Sequence, residues 1–178
     1  LIRNGANVNA RDGQKETPLH TAALKNFKVG EYLIQAGAKV NVKGEEGNTP
    51  LHNATMANNT ELMKILINNG ANVNAQGKRQ NITPLHIARK QQALEILLAN
   101  NADPNIQAQD GNTPLHNAVS GFRVDPEKVR TLVENGAKLN IQNKKGKTPL
   151  QLLEQKIQEG RNAQQLKQLK SDLQQQKK

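Results

Sequence analysis

The sequence predicts an all-α chain of stacked helix-turn-helix modules joined by projecting, hairpin-like turns. Two recurring phrases carry this reading. Thr17-Pro18-Leu19-His20 returns as Thr49-Pro50-Leu51-His52, Thr83-Pro84-Leu85-His86 and Thr113-Pro114-Leu115-His116, then in altered form as Thr148-Pro149-Leu150-Gln151, at intervals of 32, 34, 30 and 35 residues. A second phrase keeps step: Asn4-Gly5-Ala6-Asn7-Val8-Asn9, Ala36-Gly37-Ala38-Lys39-Val40-Asn41, Asn69-Gly70-Ala71-Asn72-Val73-Asn74, Asn101-Ala102-Asp103-Pro104-Asn105 and Asn135-Gly136-Ala137-Lys138-Leu139-Asn140. A module of this size is apolar on both sides and gains a core only when neighbours stack, so roughly three or more are needed for stability.

Local chemistry justifies each element in turn. Thr before Pro is a helix start, with Thr covering free amides and Pro presetting φ at the first helical position. Leu19, Leu51, Leu85, Leu115 and Leu150 are predicted to point inward, and Ala22, Ala54, Ala88 and Ala118 let the paired helices approach closely. The second helix of each module shows one apolar stripe, as in Leu62, Ile65 and Leu66 or Val129, Leu132 and Val133. Asp125-Pro126 is a further cap-plus-Pro start. Gly37, Gly70 and Gly136 end the second helices in the left-handed conformation, a task Asn101 takes over once. The Asn-, Gly- and charge-rich stretches that follow form the turns.

A period of about 33 residues with T-P-L-H-x-A is the ankyrin signature, and the chain resembles the ankyrin-repeat family over residues 1 to about 160. The resemblance implies a cupped stack in which turns project as fingers and first helices line a palm. It also implies that the histidines hydrogen-bond within the turn network beside the Thr. Residues 1–160 are expected to form the repeat domain, with a partial first repeat because Leu1-Ile2-Arg3-Asn4-Gly5-Ala6 reads as the tail of a second helix. Residues 161–178 are expected to add a final helix, capped by Asn162, with Leu166, Leu169 and Leu173 on one face. Such a helix is a polar end cap or a short coiled-coil seam, and three leucines fall short of the heptads a seam requires.

Composition narrows the function classes. Cys is absent, so a disulfide framework is excluded and an intracellular, cytoplasmic setting is expected, or a host cytosol if the chain belongs to a secreted effector. No apolar run approaches the length of a membrane span. The net charge is +10. Residues 142–178 hold nine Lys or Arg against three Asp or Glu, so this stretch alone supplies +6, with Lys144, Lys145 and Lys147 on one turn. That edge is either a solvated, solubilising surface or an attractor of acidic proteins, anionic surfaces or nucleic acid. Nucleic acid is disfavoured because base-stacking aromatics are nearly missing; Phe27, Tyr32 and Phe122 are the aromatic residues.

No catalytic grouping is expected, and no cofactor or metal. His20, His52, His86 and His116 occupy one place in successive modules, which sets them about 8–10 Å apart, too far to share an ion whose bonds are near 2 Å. The function expected is therefore a monomeric, non-catalytic scaffold that binds a protein partner, with a regulatory or targeting arm of a larger enzyme or effector as the other architecture. Offsets from each Thr place Glu16, Glu46, Asn48, Arg79, Ile82, Asn112, Lys145 and Lys147 on the fingers, and Leu24, Lys25, Met56 and Lys90 on the palm. Leu24, Met56 and Ile82 are the apolar members and the expected anchors. Phe122, inside the inserted stretch Ser120–Asp125, is either an apolar contact or a plug that seals its own helix pair. Two irregularities are also expected: a third module with almost no loop at Lys90-Gln91-Gln92, and a longer first finger because Asp12-Gly13 stands further from its Thr than Gly47, Gly111 and Gly146 do from theirs.

Overall fold

A computed structural model describes residues 5–78, 80–121, 123–160 and 162–175. Among them are ten α-helices and no strands: α1 Pro18–Lys25, α2 Phe27–Gln35, α3 Pro50–Met56, α4 Thr60–Asn68, α5 Pro84–Ile87, α6 Gln91–Ala99, α7 Pro114–Ser120, α8 Pro126–Glu134, α9 Pro149–Gln158 and α10 Ala163–Gln175. The chain divides into two compact units, residues 1–102 and 103–178.

In the first unit α1, α3 and α5 form one row and α2, α4 and α6 a second, each helix packing on its partner and on the next helix of its row. The repeated leucines meet between the rows. Leu19, Leu51, Leu62, Leu66 and Leu97 are fully buried, and Leu85 and Leu94 nearly so. Burying such a side chain stabilises by about 1.5–3 kcal/mol relative to leaving it exposed. Gly30 of α2 lies directly beneath Leu62 of α4, where an added Cβ would come within 2.6 Å of the Leu62 methyls.

In the second unit α7 packs on α8 and α9, and α10 lies across α8 and α9. Leu166, Leu169 and Leu173 are buried there, while most of the other α10 residues remain exposed. Arg130 of α8 pairs with Asp172 at 2.7 Å, and Glu154 of α9 with Lys170 at 2.8 Å. Hydrogen bonding from Arg130 holds the Asp172 carboxyl below its usual range.

Every Thr-Pro phrase starts a helix, with Thr17, Thr49, Thr83, Thr113 and Thr148 as N-caps. The second helices end as expected, with Gly37, Gly70 and Gly136 at φ +89°, +82° and +88° and Asn101 at +64°.

Four expectations are corrected. Leu150 is only half-buried, and Leu153, one turn on, fills the core of α9 instead. The first finger is not longer: Lys15, two residues before Thr17, takes φ +58° where Gly47, Gly111 and Gly146 take +78°, +79° and +68°. Its hydrogen bonds, Asp12 N–H to Glu16 and Lys15 N–H to Asp12, match those of residues 44–48, 108–112 and 143–147. It is the third finger, closed by the Gly77 N–H on the Ile82 carbonyl, that carries one extra residue. The third module keeps a connection, Ala88–Lys90, and shortens α5 to a single turn of four residues instead. Finally, Asn162 sits at φ +53°, outside N-cap geometry, and contributes its carbonyl to the Leu166 N–H.

Gly47 carries a double constraint, a φ of +78° and an approach that would put an added Cβ 2.1 Å from the Lys78 backbone nitrogen. Gly37, at φ +89°, has open space around it. Urea unfolding should therefore show Gly47→Ala costing about 2–4 kcal/mol, and Gly37→Ala only about 1 kcal/mol.

Candidate protein-interaction face

The fingers are held by main-chain chemistry. Neighbouring tips join through backbone hydrogen bonds, from Glu45 N–H to the Gln14 carbonyl at 2.8 Å, Lys78 N–H to Glu46 at 2.7 Å and Lys144 N–H to Asp110 at 2.9 Å. Inside some of the tips a short polar side chain folds the turn. Asp12 Oδ1 accepts from the Gln14 and Glu16 amides, and Asn143 Oδ1 from those of Lys145 and Lys147.

Below the tips, His20, His52 and His116 tie their helix starts to the following finger. Nδ1 of His20, His52, His86 and His116 accepts the backbone N–H of its own Thr at 3.0–3.1 Å and lies 2.8–2.9 Å from that Thr hydroxyl. Nε2 of His20 donates to the Asn48 carbonyl at 3.1 Å, that of His52 to Ile82 at 3.0 Å, and that of His116 to Lys147 at 3.0 Å. A ring that accepts at Nδ1 and donates at Nε2 is the neutral imidazole. Burial accordingly lowers the pKa of His20 and His116, and that of His52 to about 4. In these three rings both nitrogens are engaged with protein atoms. Among the described residues no group of three or more His, Asp or Glu is placed to hold a metal ion.

A second ladder runs along the other end of the modules. Asn41 donates its amide to the Gly70 carbonyl at 2.8 Å and accepts the Asn72 N–H at 2.8 Å. Asn9 makes the same pair with Gly37 and Lys39, and Asn105 with Gly136 and Lys138. The sequence signal was present, an Asn four residues after each helix-ending Gly, but its two-way bonding needs the neighbouring module to be seen.

The finger and palm residues separate into exposed and engaged sets. Met56 and Leu24 are 55% and 38% exposed, seven residues after their respective Thr on adjacent helices. Lys25, Glu46, Lys90, Lys145 and Lys147 are exposed, whereas Glu16, Asn48, Ile82 and Asn112 are half-buried. The Asn112 side chain is engaged, donating to Asp110 at 2.7 Å and accepting from Asn143 at 2.8 Å. Lys90, placed on the palm by its offset, is the N-cap of α6. Arg79 and Phe122 lie outside the described residues. Three of the finger residues come together: Glu46, Asn48 and Ile82 join Gly77 and Gln80 around a cleft of about 230 Å³ between the second and third tips. Gly77 had no sequence signal of its own. A cleft of about 430 Å³ lies over the Asn ladder, lined among others by Asn41, Lys43, Asn72 and Gln76. No described helix is long and apolar enough to cross a membrane.

Helix pairs stacked in register, with turns projecting beyond a buried polar ladder, define a helical-repeat module. The chain belongs to the ankyrin-repeat family: the model for ankyrin repeats in three copies matches residues 31–108 and 85–156, and that for a single ankyrin repeat matches residues 14–45. Repeats of this family are generally non-catalytic protein–protein interaction modules. Similar proteins include the nuclear factor NF-kappa-B p105 subunit of Gallus gallus, 32% identical over 68% of this chain and 13% of the relative. The E3 ubiquitin-protein ligase KEG of Arabidopsis thaliana is 32% identical over 75% of this chain and 6% of its own. The putative ankyrin repeat protein FPV031 of Fowlpox virus is 42% identical over 35% of this chain and 19% of its own. The chain thus spans less than a fifth of the length of the curated relatives it matches.

Because the folded pKa of His52 lies below its ordinary 6.5, the unfolded chain binds the extra proton between pH 6.5 and about 4. Its contribution to stability is complete above pH 6.5 and is lost as pH falls through that window, a change on the order of 3 kcal/mol. His52→Gln should flatten this part of the stability–pH curve, and should cost about 1–2 kcal/mol at pH 7.5 through the lost bond to Ile82. Chemical denaturation at stepped pH measures both.

Proposed function

We propose that this chain is a non-catalytic, monomeric scaffold that binds a partner protein through its finger tips and the exposed ends of its first helices. The observation that carries the reading is the cleft between the second and third tips, where Glu46, Asn48 and Ile82 meet Gln80. Exposed Met56 and Leu24 in the same unit supply the apolar contacts that a binding surface needs near its centre. Glu16, Lys25 and Lys90 are its polar companions in that unit, with Arg79 outside the described residues; Asn112, Lys145 and Lys147 of the second unit, with Phe122 outside the described residues, are proposed as contacts of that unit by itself. The setting proposed is the cytoplasm, or a host cytosol for a secreted effector.

The matched relatives are much longer than this chain, and one of them is named as an E3 ubiquitin-protein ligase. The scaffold is therefore also read as a regulatory or targeting arm of a larger protein. A second mode of binding, to anionic surfaces or nucleic acid, rests on the exposed Lys144, Lys145 and Lys147 of the last finger. It predicts a steep loss of affinity with salt.

Affinity capture from cells followed by calorimetry with the purified partner tests the scaffold. Met56→Asp and Ile82→Asp should weaken binding about tenfold or more while leaving the unfolding transition within about 1 kcal/mol. Leu85→Ala should instead destabilise the fold by about 2–5 kcal/mol. Binding that survives both charge insertions but is abolished by Glu61→Lys and Lys64→Glu on α4 would move the interface to the outer helices.

A further inference from the structure

The carboxylates of the first unit are sorted by position. Asp12, Glu16, Glu45 and Glu46 lie on the fingers, and Glu31, Glu61 and Glu95 on the outer helices α2, α4 and α6; residues 1–102 contain no other Asp or Glu. The inner helices and the corners that follow them, residues 17–26, 49–59 and 83–90, therefore carry formal charge of one sign only, from Lys25, Arg89 and Lys90. Lys25 and Lys90 are exposed, and neither makes an ion pair among the described residues.

The same rim holds the apolar exposure of the palm. At the same distance from their Thr stand Leu24, Met56 and Lys90. Met56, the last residue of α3, is 55% exposed although α1 and α5 flank its helix, so the exposure belongs to the position and not to an open end. The third module sharpens this. With seven residues α3 outruns α5, which has four and stops at Ile87, and the Ala88–Lys90 connection takes the place of its last turn. Ile87 and Ala88 are half-buried there, whereas Ala22 and Ala54, in the place of Ala88, are 4% and 0% exposed. An apolar side chain is thereby left beside a connection that carries two cations.

On the proposed reading of the palm as a partner-binding face, we infer that its rim takes an acidic amphipathic segment of the partner. Apolar residues of that segment seat on Leu24 and Met56, and its carboxylates meet Lys25 and Lys90, with Arg89 alongside. Stacked helices set the row about 8–10 Å apart per module, a step that a bound helix covers in about two turns at about 1.5 Å per residue. Apolar contacts at the centre of such an interface supply affinity, while facing charges of opposite sign select the partner and speed encounter. A basic segment would meet like charge, with no carboxylate on the inner helices to offset it. Nucleic acid is the poorer occupant, because apolar side chains interrupt the cations and the row offers no aromatic ring to stack a base.

Display selection of random peptides of about 15 residues against the full chain tests this, a length that covers about four helical turns. Enriched peptides should carry an excess of Asp and Glu around large apolar residues. Their affinity, read by fluorescence anisotropy, should fall about tenfold or more with Met56→Asp and with Lys90→Glu. It should also fall several-fold as salt rises from about 0.05 to about 0.5 M. Lys25→Glu, on another helix, repeats the charge test away from the start of α6, and urea unfolding of each variant checks the fold. Peptides without an acidic excess that still respond to Met56→Asp would overturn the acidic assignment and leave the palm as the binding face. Peptides that ignore all three substitutions, or no enrichment at all, would remove the palm and the assignment together. Polyglutamate or duplex DNA displacing the peptides equally well would also overturn it, since charge alone would then suffice.

Discussion

A histidine of the repeated phrase can bond in two directions, as His20, His52 and His116 do, and this is the interaction on which the modules depend. At Nδ1 it takes up the N–H and hydroxyl of the Thr that begins its own helix; at Nε2, in His20, His52 and His116, it grips the last carbonyl of the following finger. A helix start, which would otherwise leave main-chain amides unsatisfied, is thereby fixed to the turn next to it. The hydrophobic layers alone would leave the stack free to slide, because burial is non-directional. The histidines and, at the opposite end of the module, the Asn ladder set the register. Thr148-Gln151 keeps the first half of the device: Gln151 Oε1 accepts the Thr148 N–H at 3.0 Å.

Much of this was legible in the sequence, because the repeat supplies several readings of each position. Helix starts, helix stops and inward leucines follow from local rules that five copies repeat. What escaped was of two kinds. Departures from the period are misplaced: the shortened module reads as a lost loop, whereas helix α5, cut to four residues, absorbs the deletion and the Ala88–Lys90 connection is kept. Lys15 was invisible as a turn residue because its φ of +58° is imposed by the Asp12–Glu16 closure and not by its own preference. Contacts between modules were the other kind. The Asn ladder and the cleft beside Gly77 depend on two segments some thirty residues apart, and no single copy of the phrase contains both sides.

The candidate site was legible in outline and not in detail. Offsets from the Thr correctly separated exposed Met56, Glu46 and Lys145 from the buried frame. They could not show that Asn112 is occupied by Asp110 and Asn143, or that Asn48 and Ile82 give their carbonyls to histidines. Asn48 and Ile82 therefore hold the frame through the main chain while presenting a side chain at the cleft. Substitution there tests the side chain alone, because the carbonyl stays.

The tips touch one another through peptide groups, Gln14 with Glu45, Glu46 with Lys78 and Asp110 with Lys144. A peptide group is common to every residue, so these contacts place no demand on the side chains of Gln14, Glu45, Lys78 and Lys144, whereas Asp110 also folds its own turn. Exchange at those four positions is then nearly silent for stability and audible only to whatever is bound, unlike exchange at Asp12, Gly47 or Asn143. Exchanging Glu, Gln and Lys there changes the surface offered for recognition and leaves the frame of Thr, Leu, His and Gly beneath it in place.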